Sequence, residues 1–407
     1  MRQLGASDPC TTKEAKLPCR DWVLLPLISL LTICLIAGST ESIARRMFRE
    51  SPSSLNSCLI MDDLSNGVRA IPNSVCNYKI PEGPPVDYRF NSSGYRADRG
   101  FAPKAAGTYR IVMAGSSLAM GWGVSRERTF AALLPAELSR QTGYKVELYN
   151  EAMMYEIPHI VALRFNETLA AKPDLILWVV TYWDIQNAGN VSPVQIIPRE
   201  SSFFMGRTRS RVKSALTEKS LAAAIFDLTS TVRDLLNSTK AVYLLMHLSG
   251  KSQSQYVRSR LDGPEAGTLR IDPGAEWQSS LLAFDSYAAD IEARARAAGV
   301  PLAIVLVPWR VQAAMLNVDG CPNGYDPYKL DDELRAIVAS HRGTYIDILP
   351  DFTAIANPER HYFPVDGHPD ADGHAMIAAF LAKELTNGTI PALSIAAGQQ
   401  AALVRSR

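Results

Sequence analysis

The segment 110–124 constrains the fold of this chain more than any other part of its sequence. It opens with the apolar run of a strand that is buried on both faces, and the run stops abruptly at Gly115. Glycines at positions 121 and 123 follow Ser117, as in a tight turn that leads into a helix. A serine at the carboxyl end of a parallel strand lies where open α/β sheets bind their ligands. The segment therefore predicts an α/β sheet with Ser117 at its functional edge.

Strand and helix patterns alternate along most of the chain. Strands are predicted at 108–114, 145–149, 174–180, 301–307 and 345–349, and helices at 129–142, 159–171, 279–298 and 371–385. Such alternation is typical of a parallel sheet covered on both faces. We therefore expect a three-layer α/β/α domain with a five-stranded parallel sheet over residues 106–388.

The stretch from about 188 to 290 is less regular than the rest of the domain. Helices are predicted at 214–236 and, from a run that is ambiguous between strand and helix, at 241–248. The stretch falls between the third and fourth predicted strands. We therefore interpret it as an insertion in the sheet domain, or a cap over it.

An uncharged segment at 22–38 suggests a transmembrane helix near the N-terminus. A buried core helix and a cleaved signal peptide are the alternatives, and the long charged region before it favours an uncleaved anchor. Residues 1–21 then form a cytoplasmic tail, residues 41–105 an extracytoplasmic lead-in, and residues 389–407 a C-terminal tail. Basic residues flank the segment on both sides almost equally, so they do not determine its orientation.

The overall composition excludes some classes of function. A formal net charge of +1 in 407 residues, without a basic stripe, argues against nucleic-acid binding. The cysteines show no metal-ligand spacing, and we expect neither a metal nor a cofactor. Cys58 and Cys76 follow the apolar segment; they could form a disulfide in an oxidising compartment or remain unpaired.

A serine, a histidine and an aspartate together suggest nucleophilic catalysis. Ser117 needs a base within hydrogen-bond reach, and His368, in a polar loop before the last helix, is the candidate. Asp366 lies two residues earlier, on the same side of an extended segment, and can orient the imidazole. Taken alone, each of these residues is more often an ordinary loop residue without a catalytic role. Asp372 and His374 repeat the spacing, but at the helix start, so we interpret them as structural.

The first and last motifs resemble those of SGNH/GDSL-type serine hydrolases. Gly115-Ser-Ser-Leu118, followed by spaced glycines, is similar to the first block of that family, with Ser117 at the nucleophile position. The segment 366–374 is similar to the last block, with Asp366 and His368 at the acid and base positions. The segment 88–96 is also similar to sequences that precede membrane-anchored bacterial members. The resemblance covers roughly 85–385 and implies a flavodoxin-like three-layer fold.

The middle motifs depart from the family pattern. The asparagine that ends the second strand matches Asn150, but Tyr155 occupies the position of an oxyanion-hole glycine. Aligning the third block on Asp184 places Trp183 where the family has an asparagine that donates to the oxyanion. The resemblance thus assigns Tyr155, Trp183 and Asp184 to the oxyanion and substrate-binding site. Gln186 or Asn187 could replace the missing donor.

These observations lead to a specific expectation and two alternatives. We expect a membrane-anchored, extracytoplasmic serine esterase that forms an acyl-enzyme on Ser117, with an O-acyl carbohydrate or lipid as substrate. An O-acyltransferase would use the same acyl-enzyme, and a catalytically weak glycan- or lipid-binding protein would keep only the fold. The sequence indicates no particular protein partner.

Overall fold

We describe residues 19–49, 55–62, 64–65, 67–97, 100–189, 239–249, 252–318 and 321–394 of a computed structural model. The predicted helix at 214–236 lies outside the described residues, as do most of the predicted N-terminal and C-terminal tails.

A long apolar helix, α1 (Cys19–Met47), begins the described chain. Its segment Arg20–Met47 is long and apolar enough to cross a membrane, and no part of its most apolar window is buried against the protein. A signal sequence near the N-terminus has the same properties. The predicted apolar segment is therefore a helix that meets the length and hydropathy of a membrane span.

Two small antiparallel sheets follow α1. The first pairs β1 (Leu59–Met61) with β2 (Val68–Ala70), and the second pairs β3 (Val75–Tyr78) with β4 (Val86–Arg89). A disulfide joins Cys58 to Cys76, so the structure pairs these two cysteines. Apolar residues of this region, the fully buried Tyr88 among them, belong to the same core as the main sheet. The lead-in is thus folded onto the domain.

The main sheet has five parallel strands. They are β5 (Thr108–Gly115), β6 (Lys145–Asn150), β7 (Leu175–Val180), β8 (Leu302–Leu306) and β9 (Thr344–Ile346), in the order β6-β5-β7-β8-β9. This order is the flavodoxin-like one: the second strand, β6, lies on one side of β5, and β7, β8 and β9 follow on the other side. The carboxyl ends of β5 and β7 therefore flank the crevice where ligands bind in such sheets.

Helices cover both faces of this sheet. The described helices after β5 are α2 (Ser117–Met120), α3 (Phe130–Thr142), α4 (Pro158–Ala170), α5 (Tyr182–Gln186), α6 (Lys240–Ser249), α7 (Gln253–Arg260), α8 (Pro264–Gly267), α9 (Ala275–Ala297), α10 (Arg310–Met315), α11 (Lys329–Ser340), α12 (Leu349–Thr353) and α13 (Ala371–Glu384). Helices α3 and α13 pack together in one layer, and α4, α9 and α11 pack together in the other. The predicted three-layer α/β/α fold with a five-stranded parallel sheet is confirmed.

Local sequence signals account for the ends of several of these elements. The Thr129 side chain accepts the N–H of Ala132 at the start of α3, and Gly143 ends that helix at a φ of 77°. The last strand is shorter than predicted because Leu349 begins α12. Helix α9 begins at Ala275, four residues before its predicted start at 279. The ambiguous run at 241–248 is helical, as predicted, within α6.

Candidate active site

The turn after β5 presents Ser117 at the edge of the sheet. Gly115 ends the strand with a φ of 150°, and a Cβ atom there would lie 2.6 Å from the backbone oxygen of Val179. Glycine therefore lets β5 pass β7 closely before the chain turns. Ser117 is the first residue of α2, so its backbone N–H has no partner within that helix. Both its hydroxyl and its N–H are consequently placed at the sheet edge.

The last loop brings two further side chains to this serine. The Oγ of Ser117 lies 2.8 Å from Nε2 of His368, although the two residues are 251 positions apart. Nδ1 of the same imidazole lies 2.7 Å from Oδ1 of Asp366. The three residues thus form a continuous hydrogen-bonded line from hydroxyl to carboxylate. This is the geometry that activates a serine by a base that an acid orients.

The carboxylate of Asp366 is held in its ionised form. Burial alone would raise the pKa of Asp366, but the charge of the His368 imidazole and hydrogen bonds from His368 and Trp122 outweigh burial and lower it. Trp122 donates its indole N–H to Oδ2 at 3.2 Å. The carboxylate can therefore stabilise a positive charge on the imidazole at neutral pH.

Trp309 packs against the base from the other side. Its ring meets the His368 ring edge-on, with 4.6 Å between centroids. Gly367 adopts a φ of 87°, and a Cβ atom there would lie 2.5 Å from the Trp309 indole nitrogen. Because the loop can bend only around this side chain, Trp309 limits the positions that the imidazole can take.

The site opens into a cavity of about 280 Å³. Aromatic side chains dominate its walls. The lining residues are Ser116, Ser117, Trp122, Met154, Tyr155, Thr181, Tyr182, Trp183, Trp309, Asp366 and His368. The cavity is thus a largely apolar chamber with the serine and the imidazole at its polar end.

Tyr155 takes the backbone conformation that glycine would favour. Its φ is 60°, in the left-handed region where residues with side chains are uncommon. Neighbouring contacts hold the turn, since the N–H of Met153 donates to the backbone oxygen of Gly115 at 3.1 Å and to Oε2 of Glu156 at 3.0 Å. The Tyr155 ring lines the cavity and is 40% exposed. The tyrosine therefore preserves the turn and adds a side chain at the cavity mouth.

The residues of the third motif separate into two groups. Trp183 lines the cavity, with its ring centroid 6.5 Å from that of Tyr155. Asp184 is buried below the cavity and does not line it; its Oδ2 accepts the N–H and the hydroxyl of Thr181, each at 2.7 Å. Burial raises the pKa of Asp184 to about 6. Its carboxylate thus forms a capping box with Thr181 at the start of α5, and its part in substrate binding stays a prediction.

The two proposed substitutes for the missing oxyanion donor lie elsewhere. Gln186 is exposed, and Asn187 donates its side-chain amide to the backbone oxygen of Trp183 at 2.8 Å. Neither of them lines the cavity. Asn150, at the end of β6, donates to the backbone oxygen of Ala119 at 3.0 Å and thereby fixes α2.

Residues of the lead-in support the glycine turn, which sequence reasoning did not anticipate. The buried guanidinium of Arg96 donates to the backbone oxygens of Met120 and Val124, at 3.0 and 2.6 Å. The hydroxyl of Tyr88 accepts the N–H of Gly123 at 2.8 Å. The only signal was that 88–96 resembles segments preceding membrane-anchored family members. Both ends of that segment prove to hold the turn around Ser117.

The second Asp-Gly-His sequence is structural, as we inferred. His374 is fully buried, accepts the N–H of Phe130 at Nδ1 and stacks on the Phe130 ring. Burial lowers the pKa of His374 to about 3, so it is neutral. The cap of α13 is Asp370, which accepts the N–H groups of Asp372 and Gly373, and not Asp372 itself. Among the described residues, Asp370, Asp372 and His361 are close enough to share a metal ion, but Asp370 already serves this cap.

Comparisons with known proteins found likenesses in structure. No family model matches the sequence, and no curated protein matches it. A catalytic mutant of Axe2, an acetylxylan esterase from Geobacillus stearothermophilus, is 10% identical over 68% of this chain and 94% of its own, with a TM-score of 0.37. The lipase Lip_vut3 from a goat rumen metagenome is 10% identical over 68% and 98%, with a TM-score of 0.31. The esterase EstA from Pseudoalteromonas is 10% identical over 68% and 96%, with a TM-score of 0.32.

Proposed function

We propose that this protein is a serine esterase that hydrolyses its substrate through an acyl-enzyme on Ser117. The observation that carries the proposal is the hydrogen-bonded line from Ser117 through His368 to Asp366, with 2.8 and 2.7 Å between the bonded atoms. The line opens into a cavity at the crevice of the sheet. The proposal is based on this geometry, since the likenesses to solved structures are distant.

In the first half of the reaction, Oγ of Ser117 attacks the ester carbonyl carbon, and Nε2 of His368 takes the hydroxyl proton. Asp366 stabilises the imidazolium that forms. The C–O bond to the alcohol then breaks, and the imidazolium gives its proton to the departing oxygen. Water repeats the sequence on the acyl-enzyme, releases the acid and restores the Ser117 hydroxyl.

Backbone donors provide for the negative charge on the tetrahedral intermediate. The N–H of Ser117 is free of helix hydrogen bonding, and the left-handed turn at Tyr155 belongs to the cavity wall. We propose that the backbone N–H groups of Ser117 and Tyr155 bind the oxyanion. A missing oxyanion donor costs about 100- to 1,000-fold in rate, so an enzyme without the family's asparagine side chain is expected to be slow.

The cavity supports an O-acyl carbohydrate or lipid as the substrate class. Its volume of about 280 Å³ is at the small end of the range for ligand-binding pockets. The rings of Tyr155 and Trp183 lie at its wall and offer apolar faces to the rest of the ester. We therefore expect acetyl and other short acyl esters to be preferred over long ones.

We further propose that α1 anchors the protein and that the domain faces the extracytoplasmic side. The apolar segment of α1 meets the requirements of a span. The disulfide between Cys58 and Cys76 is of a kind that persists in oxidising compartments. In a Cys321→Ser background, which removes an exposed free cysteine, a cysteine engineered within 252–260 should react, in intact cells, with a maleimide that cannot enter the cytoplasm. Protection of that cysteine would contradict this orientation.

Hydrolysis of graded p-nitrophenyl esters by the purified protein tests the activity. We expect activity on the acetyl ester that declines with chain length and disappears in Ser117→Ala and His368→Ala. Ser125→Ala removes a hydroxyl from the same glycine turn and serves as the matched control. Folded wild-type protein without activity on these esters or on acetylated oligosaccharides would favour a binding protein and contradict the proposal.

A further inference from the structure

A buried carboxylate from the lead-in holds the loop that carries Asp366. Glu82 lies between β3 and β4, and its side chain is 1% exposed. Oε2 accepts the backbone N–H of Val365 and that of Asp366, both at 2.9 Å, and Oε1 also lies 3.1 Å from the first of these nitrogens. The carboxylate of Glu82 therefore binds the backbone of Asp366 and of the residue before it.

A buried carboxylate is costly unless hydrogen bonds satisfy it, and these bonds are its principal compensation. They fix the backbone N–H groups of Val365 and Asp366. The second of these groups belongs to the residue whose carboxylate contacts His368. The same Asp366 must place Oδ1 at 2.7 Å from Nδ1 of His368. The direction of the Asp366 side chain thus depends on a residue that never touches the substrate cavity.

A third contact connects Glu82 to the helix that packs beside α1. Nδ1 of His247, on α6, lies 2.7 Å from Oε1 of Glu82. The ring of His247 packs on Phe48, at the end of α1, with 5.1 Å between centroids. At the other end of α6, the N–H of Ala241 donates to Glu41 of α1 at 2.7 Å. A chain of direct contacts therefore runs from the apolar helix to the acid loop.

We propose that Glu82 is a positioning residue of the esterase site. Its hydrogen bonds fix the backbone at 365–366 so that the Asp366 carboxylate contacts His368. His247 couples the position of the α1–α6 helix pair to the Glu82 carboxylate. The inference rests on the proposed function in one respect, which is that the line from Ser117 to Asp366 is catalytic. The contacts between Glu82 and the loop do not depend on it.

Three variants test the positioning role by their rates of reaction with a fluorophosphonate and their steady-state constants on p-nitrophenyl acetate. In Glu82→Ala, two N–H groups lose their acceptor, and we expect kcat and the labelling rate to fall about 100-fold with little change in KM, as for a misplaced catalytic group. Glu82→Gln keeps one carbonyl acceptor and should lose less. Asp87→Asn neutralises an exposed carboxylate of the same hairpin and should match the wild type.

A spectroscopic measurement separates positioning from general stabilisation. In wild-type protein, the proton between His368 Nδ1 and Asp366 should give a low-field NMR resonance, which Glu82→Ala should shift or broaden while the folded protein keeps its dispersed amide spectrum. If Glu82→Ala does not fold, Glu82→Gln is used for the same comparison. An unchanged resonance and labelling rate would overturn the proposal.

The link to α6 is tested with a double-mutant cycle. His247→Ala should slow labelling severalfold in the wild-type background and have no further effect in Glu82→Ala. Both changes act through the same hydrogen bonds from Glu82 to the backbone at 365 and 366. Losses that multiply would overturn the transmission through Glu82. Wild-type protein that fails to react with the phosphonate contradicts the proposed function. Amide hydrogen exchange at 365 and 366 still tests the positioning role of Glu82 in that case. Faster exchange in Glu82→Ala than in wild type supports this role, and equal exchange overturns it.

Discussion

The indole N–H of Trp122 lies 3.2 Å from Oδ2 of Asp366, so the turn that carries the serine is bonded directly to the loop that carries the base. The two residues are 244 positions apart. Trp122 sits between Gly121 and Gly123, both at positive φ, and its ring packs on Tyr78. The glycine turn therefore does more than expose Ser117, since it also provides one of the donors that keep Asp366 ionised.

Trp122→Phe removes this donor and keeps an aromatic ring. A hydrogen bond to a charged group contributes about 1.5–3 kcal/mol, and each ~1.4 kcal/mol is tenfold in rate. We expect kcat on p-nitrophenyl acetate to fall about 10-fold or more by these measures. Trp277→Phe removes a similar indole hydrogen bond, to Glu333 at 3.1 Å, and is the matched control. Equal kcat values for the two variants would contradict the role of Trp122.

Tyr155→Gly tests whether only the backbone of that turn serves the oxyanion. Glycine adopts the observed φ of 60° without strain, so the turn and its N–H should persist. We expect activity on the acetyl ester within a few-fold of wild type and a relative gain on longer acyl esters, because the ring no longer narrows the cavity. Steady-state kinetics across the ester series measure both effects.

Arg342→Gly provides the control for backbone strain. Arg342 has a φ of 62° outside the cavity, and relief of such strain is worth about 1 kcal/mol. Thermal melts should show that gain in Arg342→Gly, without a change in ester preference. Loss of acetyl-ester activity in Tyr155→Gly would mean that the tyrosine side chain itself is needed.

His374 should make the protein sensitive to acid. Burial lowers its pKa from 6.5 to about 3, so the folded state binds fewer protons than the unfolded state between those values. The stability that depends on neutral His374 is complete above pH ~6.5 and falls, by up to about 1.4 kcal/mol per pH unit, as the pH decreases toward 3.

Denaturant unfolding of His374→Asn at several pH values checks this dependence. Asparagine can still accept the N–H of Phe130 but does not titrate in this range. The difference in unfolding free energy between wild type and variant should shrink as the pH falls from 6.5, because contributions of the other groups cancel. A difference that stays constant with pH would show that His374 does not remain neutral in the folded state.

The Cys58–Cys76 disulfide should stabilise the lead-in hairpins and, through them, the site. It closes a loop of sequence separation 18, for which a disulfide contributes about 3 kcal/mol. Cys58→Ser combined with Cys76→Ser should lower the melting temperature, and reductant should do the same to wild type. Cys321→Ser changes an exposed free cysteine and should have no effect. Reductant without effect on wild type would contradict the pairing.

The sequence predicted the sheet well because its strands are buried on both faces and therefore appear as uninterrupted apolar runs. It also led to Ser117, Asp366 and His368, because parallel strands place their carboxyl ends at one edge. The left-handed turn at Tyr155 could not be predicted, because tertiary contacts impose it against the preference of the residue. The capping role of Asp184 was open to prediction, since Thr181-x-x-Asp184 has the spacing of a capping box.

Support from the lead-in was also beyond sequence reasoning. Arg96 and Glu82 lie in a Pro- and Asn-rich region without a clear period, where charged residues are ordinarily solvated. In the structure the side chains of both are buried against backbone groups of the site. Such contacts join positions far apart in the chain, and the pattern of neighbouring residues does not reveal them.

The most direct test of the account is the site of modification by a fluorophosphonate. The detergent-solubilised full chain is treated near neutral pH, and peptide mass spectrometry locates the adduct. We predict a single adduct on Ser117 that is absent from Ser117→Ala and His368→Ala and present in Ser125→Ala. An adduct on another residue, or none on folded wild-type protein, would contradict the assignment of Ser117, His368 and Asp366 as the catalytic residues.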